Sequence, residues 1–228
     1  MGRHRTFVLV SFSVVLWLAL AAIPAYADFT AISNPGDGTY LADTCKIDAW
    51  HALPLFSSVT SVTGCGVTVT FSSAMSKRGP VPSGWATWSS PPFSETATPH
   101  VLFSLGAPAV SMSFSVPLSI YGYEAEPNLF AVSTMTATYN PGAHGVISRA
   151  VAGMAGARLF AGQSSDVLFS GVAFSNPAGG GFGIAQIRVC LTCIPGIPVP
   201  EPSGLLMLGS GLLGAFGAAR RRFVIALR

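Results

Sequence analysis

The chain has 228 residues, of which half are apolar and only 9% are charged. Soluble domains carry about 25% charged residues, so this composition excludes a coiled coil, a collagen and a disordered charged tail. The formal net charge of +3 comes from the two ends, because residues 28–200 hold six basic and eight acidic residues. Such a middle offers no basic face for nucleic acid, and we expect no nucleic-acid partner.

The first 27 residues have the order of a secretory signal peptide. Two arginines give a positive start, residues 7–23 are apolar, and Pro-Ala-Tyr-Ala follows. Ala25 and Ala27 are the small residues that a signal peptidase accepts at positions −3 and −1. We therefore predict cleavage before Asp28. The alternative is an uncleaved membrane anchor.

Residues 28–196 are predicted to form one β-rich domain. Helical periodicity is almost absent, whereas apolar residues alternate with serine or threonine, most clearly at 66–71 and 110–116. Further strands are predicted at 101–105, 118–124, 129–139, 145–152, 157–161, 166–174 and 182–189. Three Asn-Pro dipeptides mark turns. Many short strands separated by turns are typical of a β-sandwich or a barrel.

Four cysteines remain after removal of the signal peptide, and an even number in an exported chain favours disulfides. They are Cys45, Cys65, Cys190 and Cys193. Three pairings are open. We prefer Cys45–Cys65 with Cys190–Cys193, because thiols that are close in sequence meet first. A redox-active Cys-x-x-Cys pair and half of a zinc site are the alternatives for the second pair.

Residues 79–99 are rich in Pro, Ser and Trp and are predicted to form a long loop. Trp85 and Trp88 lie in it, and with Trp50 and Phe93 they are the best candidates for contacting a ligand. Exposed indole rings in a loop are a usual platform on which sugars stack. The alternative is that these rings cover the open end of the sandwich, which large aromatic side chains do well.

Glu124 and Glu126 form a closely spaced acid pair within a strand-like segment, and strand alternation places both on one face. We favour a solvated strand end. The alternatives are a calcium site, for which these two are weak candidate ligands, and a glycosidase pair. The chain has no Gly-x-Ser-x-Gly, His-Glu-x-x-His or P-loop motif. We expect no enzyme, no catalytic residue and no cofactor other than calcium.

The C-terminal segment, residues 197–228, has a short apolar span followed by a basic stop. Residues 204–219 carry no charge, and they lie between Pro200, Glu201, Pro202 on one side and Arg220, Arg221, Arg222 on the other. Sixteen helical residues span about 24 Å, slightly less than the bilayer core of about 30 Å. We predict a marginal single transmembrane helix whose arginines stay in the cytoplasm.

This tail resembles the PEP-CTERM sorting signal over roughly residues 197–222, although residues 223–228 extend beyond the usual pattern. Members of that family are exported proteins of Gram-negative bacteria that make exopolysaccharide. An exosortase is thought to recognise the tail at the membrane and remove it. The same tail is also known as the C-terminal domain of some ice-binding proteins. Residues 121–127, 156–161 and 183–188 resemble segments of jelly-roll ectodomains in this family.

Together these features predict an all-β protein with a jelly-roll-like β-sandwich ectodomain at 28–196, between a signal peptide and a single transmembrane helix. The resemblance implies a signal peptidase and an exosortase-type protease as partners. It also implies an inner-membrane precursor that later reaches the cell surface or extracellular matrix. The predicted function is that of a non-catalytic surface or matrix protein associated with exopolysaccharide. The alternatives are a carbohydrate-binding module and a secreted hydrolase.

Overall fold

A computed structural model describes residues 29–140, 145–165 and 167–190. The predicted signal peptide with its cleavage site, Cys193 and the tail from residue 197 onward lie outside these residues. Within the described ranges, no helix is long and apolar enough to cross a membrane. The transmembrane helix predicted at 204–219 is outside those ranges.

The described chain is all-β, as predicted, with one short helix, α1 (Gly38–Asp43), and one 3-10 turn (Ala49–Ala52). Asp37 caps α1 by accepting a hydrogen bond from the backbone N–H of Tyr40 at 2.9 Å. The strands are β1 (Phe29–Ile32), β2 (Cys45–Ile47), β3 (Ser58–Gly64), β4 (Val67–Pro80), β5 (His100–Phe103), β6 (Ala109–Leu118), β7 (Ile120–Pro127), β8 (Val132–Tyr139), β9 (Val146–Ala152), β10 (Arg158–Ser164), β11 (Phe169–Ser175) and β12 (Phe182–Cys190).

The strands predicted from residue 101 onward are present, and the N-terminal part differs more from the prediction. Strands β1, β2 and β3 were not expected. Strand β4 continues from the alternating run at 67–71 through Pro80, so the connection that follows it is residues 81–99. We call this connection the Trp loop.

All strand pairs are antiparallel, and the order is β1-β10-β7-β12-β5-β4-β6-β11-β8-β9, with β2 added to β12 and β3 to β4. The long strand β4 joins the two halves of this sheet. Its residues Val69–Phe71 pair with β6, whereas Ser76–Pro80 pair with β5. The sheet folds over at this strand, so that β7 and β10 pack against β8 and β11.

Aromatic rings fill the space between the two halves. Tyr123 of β7 meets Phe174 of β11 edge-on, with ring centroids 5.1 Å apart, and Phe160 of β10 lies 4.9 Å from the same ring. The Tyr139 hydroxyl donates to the backbone oxygen of Tyr121 at 2.9 Å. Rings of this size bury a large apolar area in edge-to-face contacts, so they account for much of the core.

The outer face of β3, β4, β6, β8 and β9 is rich in hydroxyl groups. Thr70 lies opposite Ser61 on one neighbouring strand and Ser113 on the other. The hydroxyls of Thr136 and Ser148 are 2.9 Å apart across the β8–β9 pair. We call this surface the hydroxyl face. It matches the polar side of the alternating pattern in the sequence.

A disulfide joins Cys45 on β2 to Cys65 in the turn between β3 and β4, which confirms that predicted pairing. It closes a separation of 20 residues, and the Cα atoms are 6.1 Å apart. Cys190 is also disulfide-bonded. Because Cys193 lies outside the described residues, the Cys190–Cys193 pairing stays a prediction.

Candidate functional site

The predicted acid pair is buried. Glu124 and Glu126 point to one side of β7, as alternation required, but both are 0% exposed. The interpretation as a solvated strand end is therefore wrong. Strand β7 is covered on both faces, because the aromatic core lies on one side and the Trp loop lies across the other.

Each buried carboxylate accepts hydrogen bonds from the Trp loop. Glu124 accepts from the indole N–H of Trp88 at 2.8 Å and from the backbone N–H of Glu95 at 2.6 Å. Glu126 accepts from the indole N–H of Trp85 at 2.7 Å and from the Thr87 hydroxyl at 3.1 Å. The two acids of β7 thus each hold one tryptophan of the Trp loop: Glu124 binds Trp88, and Glu126 binds Trp85.

These contacts correct the predicted sugar platform at Trp85 and Trp88. The two side chains are only 9% and 3% exposed, and their N–H groups are used inside the protein. They pack with Val101, Ala157 and Ala185 in a second apolar cluster beneath the loop. The structure therefore supports the alternative, in which the rings cover one end of the fold.

Burial changes the acid strength of both carboxyl groups. It raises the pKa of Glu124 to about 7, against the opposing effect of the N–H donors from Trp88 and Glu95. Burial also raises the pKa of Glu126, and the donors from Trp85, Gly156 and Thr87 oppose that shift. The cost of removing a charged carboxylate from water exceeds the gain from these hydrogen bonds.

A charge cluster fixes the far end of the Trp loop. The Glu95 carboxylate accepts from Arg188 of β12 at 2.6 Å and lies 3.5 Å from the ammonium group of Lys46 on β2. Arg188 also donates to the backbone oxygen of Thr44 at 3.1 Å. The loop is therefore held by buried hydrogen bonds in its middle and by an ion pair near its end.

This arrangement bears on the two chemistries considered for the acid pair. In the described ranges, no group of three or more His, Cys, Asp or Glu side chains could hold a metal ion. Calcium at Glu124 and Glu126 stays an untested prediction. A glycosidase pair must face its substrate across a cleft, and neither carboxyl group has exposed surface.

An open pocket of about 210 Å³ lies beside the Trp loop. Trp85 and Phe103 form its aromatic wall, with ring centroids 5.6 Å apart, and Phe130 stands on its rim with 66% of its surface exposed. We call it the Arg78 pocket. Its lining consists of Arg78, Gly84, Trp85, Ala86, Thr87, Phe103, Pro127, Asn128, Phe130 and Gly153.

Arg78 gives this pocket its positive charge. Its guanidinium carbon lies 5.0 Å from the ring centroids of both Phe56 and Phe103. Its Nε atom is buried without a hydrogen-bond partner among the described residues. A guanidinium group held on aromatic faces keeps its planar set of donors in a fixed orientation.

Sequence reasoning missed Arg78, Phe103 and Phe130. They come from β4, β5 and the β7–β8 turn, and only the fold brings them together. One signal was present in the sequence. Lys77 and Arg78 are adjacent basic residues in a middle region that is otherwise poor in charge.

The family model of the PEP-CTERM protein-sorting motif matches residues 198–222. This match confirms the sorting signal predicted from Pro200, Glu201, Pro202 and the arginines at 220–222. The motif marks an exported protein of Gram-negative bacteria that is processed at the membrane, and it implies an exosortase as the processing partner. No curated protein has a significant match to the chain.

Similar solved structures include carbohydrate-binding modules. A mutant of CBM29-2, a family 29 module complexed with mannohexaose, is 10% identical, covers 72% of this chain and 92% of its own, and has a TM-score of 0.25. The family 11 module of the cellulosomal cellulase Lic26A-Cel5E of Clostridium thermocellum is also 10% identical. It covers 64% of this chain and 94% of its own, with a TM-score of 0.27.

Proposed function

We propose that this exported protein is a non-catalytic component of the cell surface or extracellular matrix that binds a glycan in the Arg78 pocket. The observation that carries the proposal is the composition of that pocket. Aromatic rings line the pocket, of which Phe130 is the exposed one, and they are combined with the polar side chains of Arg78 and Asn128. Binding sites of this kind pair apolar stacking surfaces with a few orienting polar groups.

The lining of the pocket favours binding over hydrolysis. Its ten described residues include no carboxylate, histidine, cysteine or serine, and the one hydroxyl among them, on Thr87, donates to the buried Glu126 carboxylate at 3.1 Å. Arg78 is its one charged member. The acids nearest in sequence to the pocket wall, Glu124 and Glu126, are buried behind the Trp loop.

The rest of the proposal concerns the route to the surface. A signal peptidase cleaves before Asp28, and a transmembrane helix at 204–219 holds the precursor in the inner membrane. An exosortase then acts at the Pro-Glu-Pro segment and releases a jelly-roll-like domain, residues 28–196, to the surface. The sorting match at 198–222 supports the exosortase step, and the antiparallel sheet supports the β-rich architecture of the released domain.

The test compares two exposed phenylalanines. Phe130→Ala removes a ring from the rim of the pocket, whereas Phe93→Ala removes a ring that is 52% exposed and does not line it. Binding of the full-length protein to the polysaccharide of the producing cells is measured by affinity electrophoresis. A stacked ring contributes about 0.5–1.5 kcal/mol beyond its buried area, so Phe130→Ala should weaken binding by about threefold to tenfold.

Phe93→Ala should leave the affinity within twofold of the wild type. Equal losses in the two variants would show that the binding surface is elsewhere. A wild-type protein that binds none of the producing cells' polysaccharide would contradict the proposed function.

A further inference from the structure

Arg78 differs from the other basic side chains of the described chain because it makes no hydrogen bond or ion pair within the described residues. Its described contacts are the rings of Phe56 and Phe103. The other five are each bonded: Lys46 and Arg188 to Glu95, Lys77 to Leu53 O, Arg149 to Ile32 O, and Arg158 to Gly156 O and Ala157 O.

The nearby acid does not neutralise this charge. The Glu126 carboxylate lies behind the wall formed by Trp85 and accepts hydrogen bonds from Trp85, Thr87 and the backbone N–H of Gly156. Asn128 uses its side-chain N–H on Gly180 O at 3.0 Å. The pocket therefore offers a ligand one unpaired cation, aromatic surface and the amide oxygen of Asn128.

The volume of the pocket limits what fits. At about 210 Å³ it is smaller than the 300–1,000 Å³ typical of sites for drug-sized ligands. It has room for one ring with its substituents. The planar guanidinium matches the two oxygens of a carboxylate, and such charge-assisted pairs are stronger than neutral hydrogen bonds.

We propose that the Arg78 pocket binds an acidic sugar unit, with the sugar carboxylate paired to the Arg78 guanidinium and one face of the ring against Phe130. This inference rests on the proposed glycan-binding function and adds its chemical class. Residues 28–200 hold more acidic than basic residues. The net charge of the domain therefore does not attract an acidic polymer, and the attraction comes from Arg78 itself. Binding should weaken moderately, and not steeply, as salt concentration rises.

The experiment uses ligand pairs that differ only in charge. Polygalacturonate, polymannuronate and the polysaccharide of the producing cells are each titrated into the full-length protein before and after chemical reduction of their carboxyl groups to alcohols. The acidic form of at least one polymer should bind at least tenfold more tightly than its reduced form. Arg78→Gln should remove that preference.

Arg158→Gln is the matched control. Its guanidinium also stacks on an exposed ring, 4.3 Å from the centroid of Phe93, but it does not line the pocket. This variant should keep the preference for the acidic form within twofold. Thermal unfolding of each variant shows whether it is folded. If Arg78→Gln does not fold, Phe130→Ala should lower the affinity for the acidic form in its place.

The outcomes separate the two proposals. Equal binding of the acidic and reduced forms for all three polymers overturns the inference and leaves glycan binding in place. Failure to bind the producing cells' polysaccharide in either form overturns the proposed function, and failure to bind any of the six preparations overturns both proposals. An acidic peptide that binds as tightly as the best polymer, and loses affinity in Arg78→Gln, overturns the assignment of a sugar.

Discussion

Two buried carboxylates decide how the Trp loop is placed. Glu124 and Glu126 have no exposed surface, and each faces an indole N–H at 2.7–2.8 Å. A buried polar group without its partner costs about 1–3 kcal/mol. The register of the loop on β7 is therefore set by which tryptophan meets which acid.

Replacing Glu124 with glutamine should destabilise the fold although the two side chains have nearly the same shape. Both carboxylate oxygens accept from N–H donors, of Trp88 and Glu95, and glutamine would place its own NH₂ against one of them. We expect Glu124→Gln to lower the free energy of unfolding by about 1–3 kcal/mol, measured by urea denaturation. In a double variant with Trp88→Phe the two losses should not add. Full additivity, or no loss in Glu124→Gln, would show that this pair does not hold the loop.

The raised pKa of Glu124 gives a pH dependence with a defined sign. Because burial raises it from about 4.5 to about 7, the folded state binds the proton more tightly than the unfolded state. The contribution of this group to stability is therefore greatest below about pH 4.5 and falls as the pH rises toward about 7. Burial lowers the pKa of His51 and of His100, so the contribution of these two groups to stability rises with pH instead.

The difference in unfolding free energy between the wild type and Glu124→Gln isolates the contribution of the Glu124 carboxyl group. Between pH 5 and pH 7.5, the unfolding free energy of the wild type should fall relative to that of the variant, as measured by urea denaturation at several pH values. The raised pKa of Glu126 gives a dependence of the same sign in both proteins, so it cancels in the difference. A difference that stays constant over this interval would contradict the assigned pKa shift.

The Trp loop behaves as part of the core. Trp88 is 3% exposed and packs under the loop with Val81, Val101 and Ala185. Loops rich in Pro and Ser usually lie on the surface and are mobile. This one is held by two indole hydrogen bonds and by the Glu95–Arg188 ion pair, so we expect it to unfold together with the sheet.

Truncation of Trp88 should therefore be costly. Trp88→Ala removes a buried ring and leaves the Glu124 carboxylate without one donor, so the loss of unfolding free energy should be about 3–5 kcal/mol. Differential scanning calorimetry measures it, with Phe93→Ala as the exposed control. If Trp88→Ala melts within a degree or two of the wild type, Trp88 is not a core residue and the prediction of a surface platform for sugars would stand.

The sequence predicted some of these elements better than others, for physical reasons. In β6 and in the first half of β4, apolar residues alternate with serine or threonine because one face of the strand is buried. Both strands were therefore predicted from the sequence. The predicted strand ends at Phe71, short of the observed end of β4 at Pro80, because the alternation breaks at Ser72 and Ser73. Alternation placed Glu124 and Glu126 on one face correctly. Their burial could not be predicted, because it depends on a distant loop that covers that face.

The sorting motif and the pocket that we propose as a ligand site lie in different parts of the chain. The sorting motif at 198–222 lies beyond the last described strand, and the Arg78 pocket is built from residues 78–153. The motif could be predicted because it is local in sequence. The pocket could not, since its walls come from separate strands and the Trp loop.

The tail should be a processing site. The prolines at 200 and 202 predict an extended segment around Glu201, and an extended segment is what a peptidase can bind. Replacing both prolines with alanine should leave full-length protein in the inner membrane, whereas the wild type reaches the surface or medium without its tail. Mass spectrometry of the surface-exposed wild type decides this. An intact end at Arg228 would mean that the segment is a plain anchor.

The proposed function requires that a sugar bind beside Arg78. The most direct measurement is a crystal structure of the protein with an oligosaccharide released from the polysaccharide of its producing cells. We predict one sugar ring in the Arg78 pocket, stacked on Phe130 and hydrogen-bonded to the Arg78 guanidinium. A sugar bound on the hydroxyl face, with the Arg78 pocket holding only water, would contradict glycan binding in the Arg78 pocket.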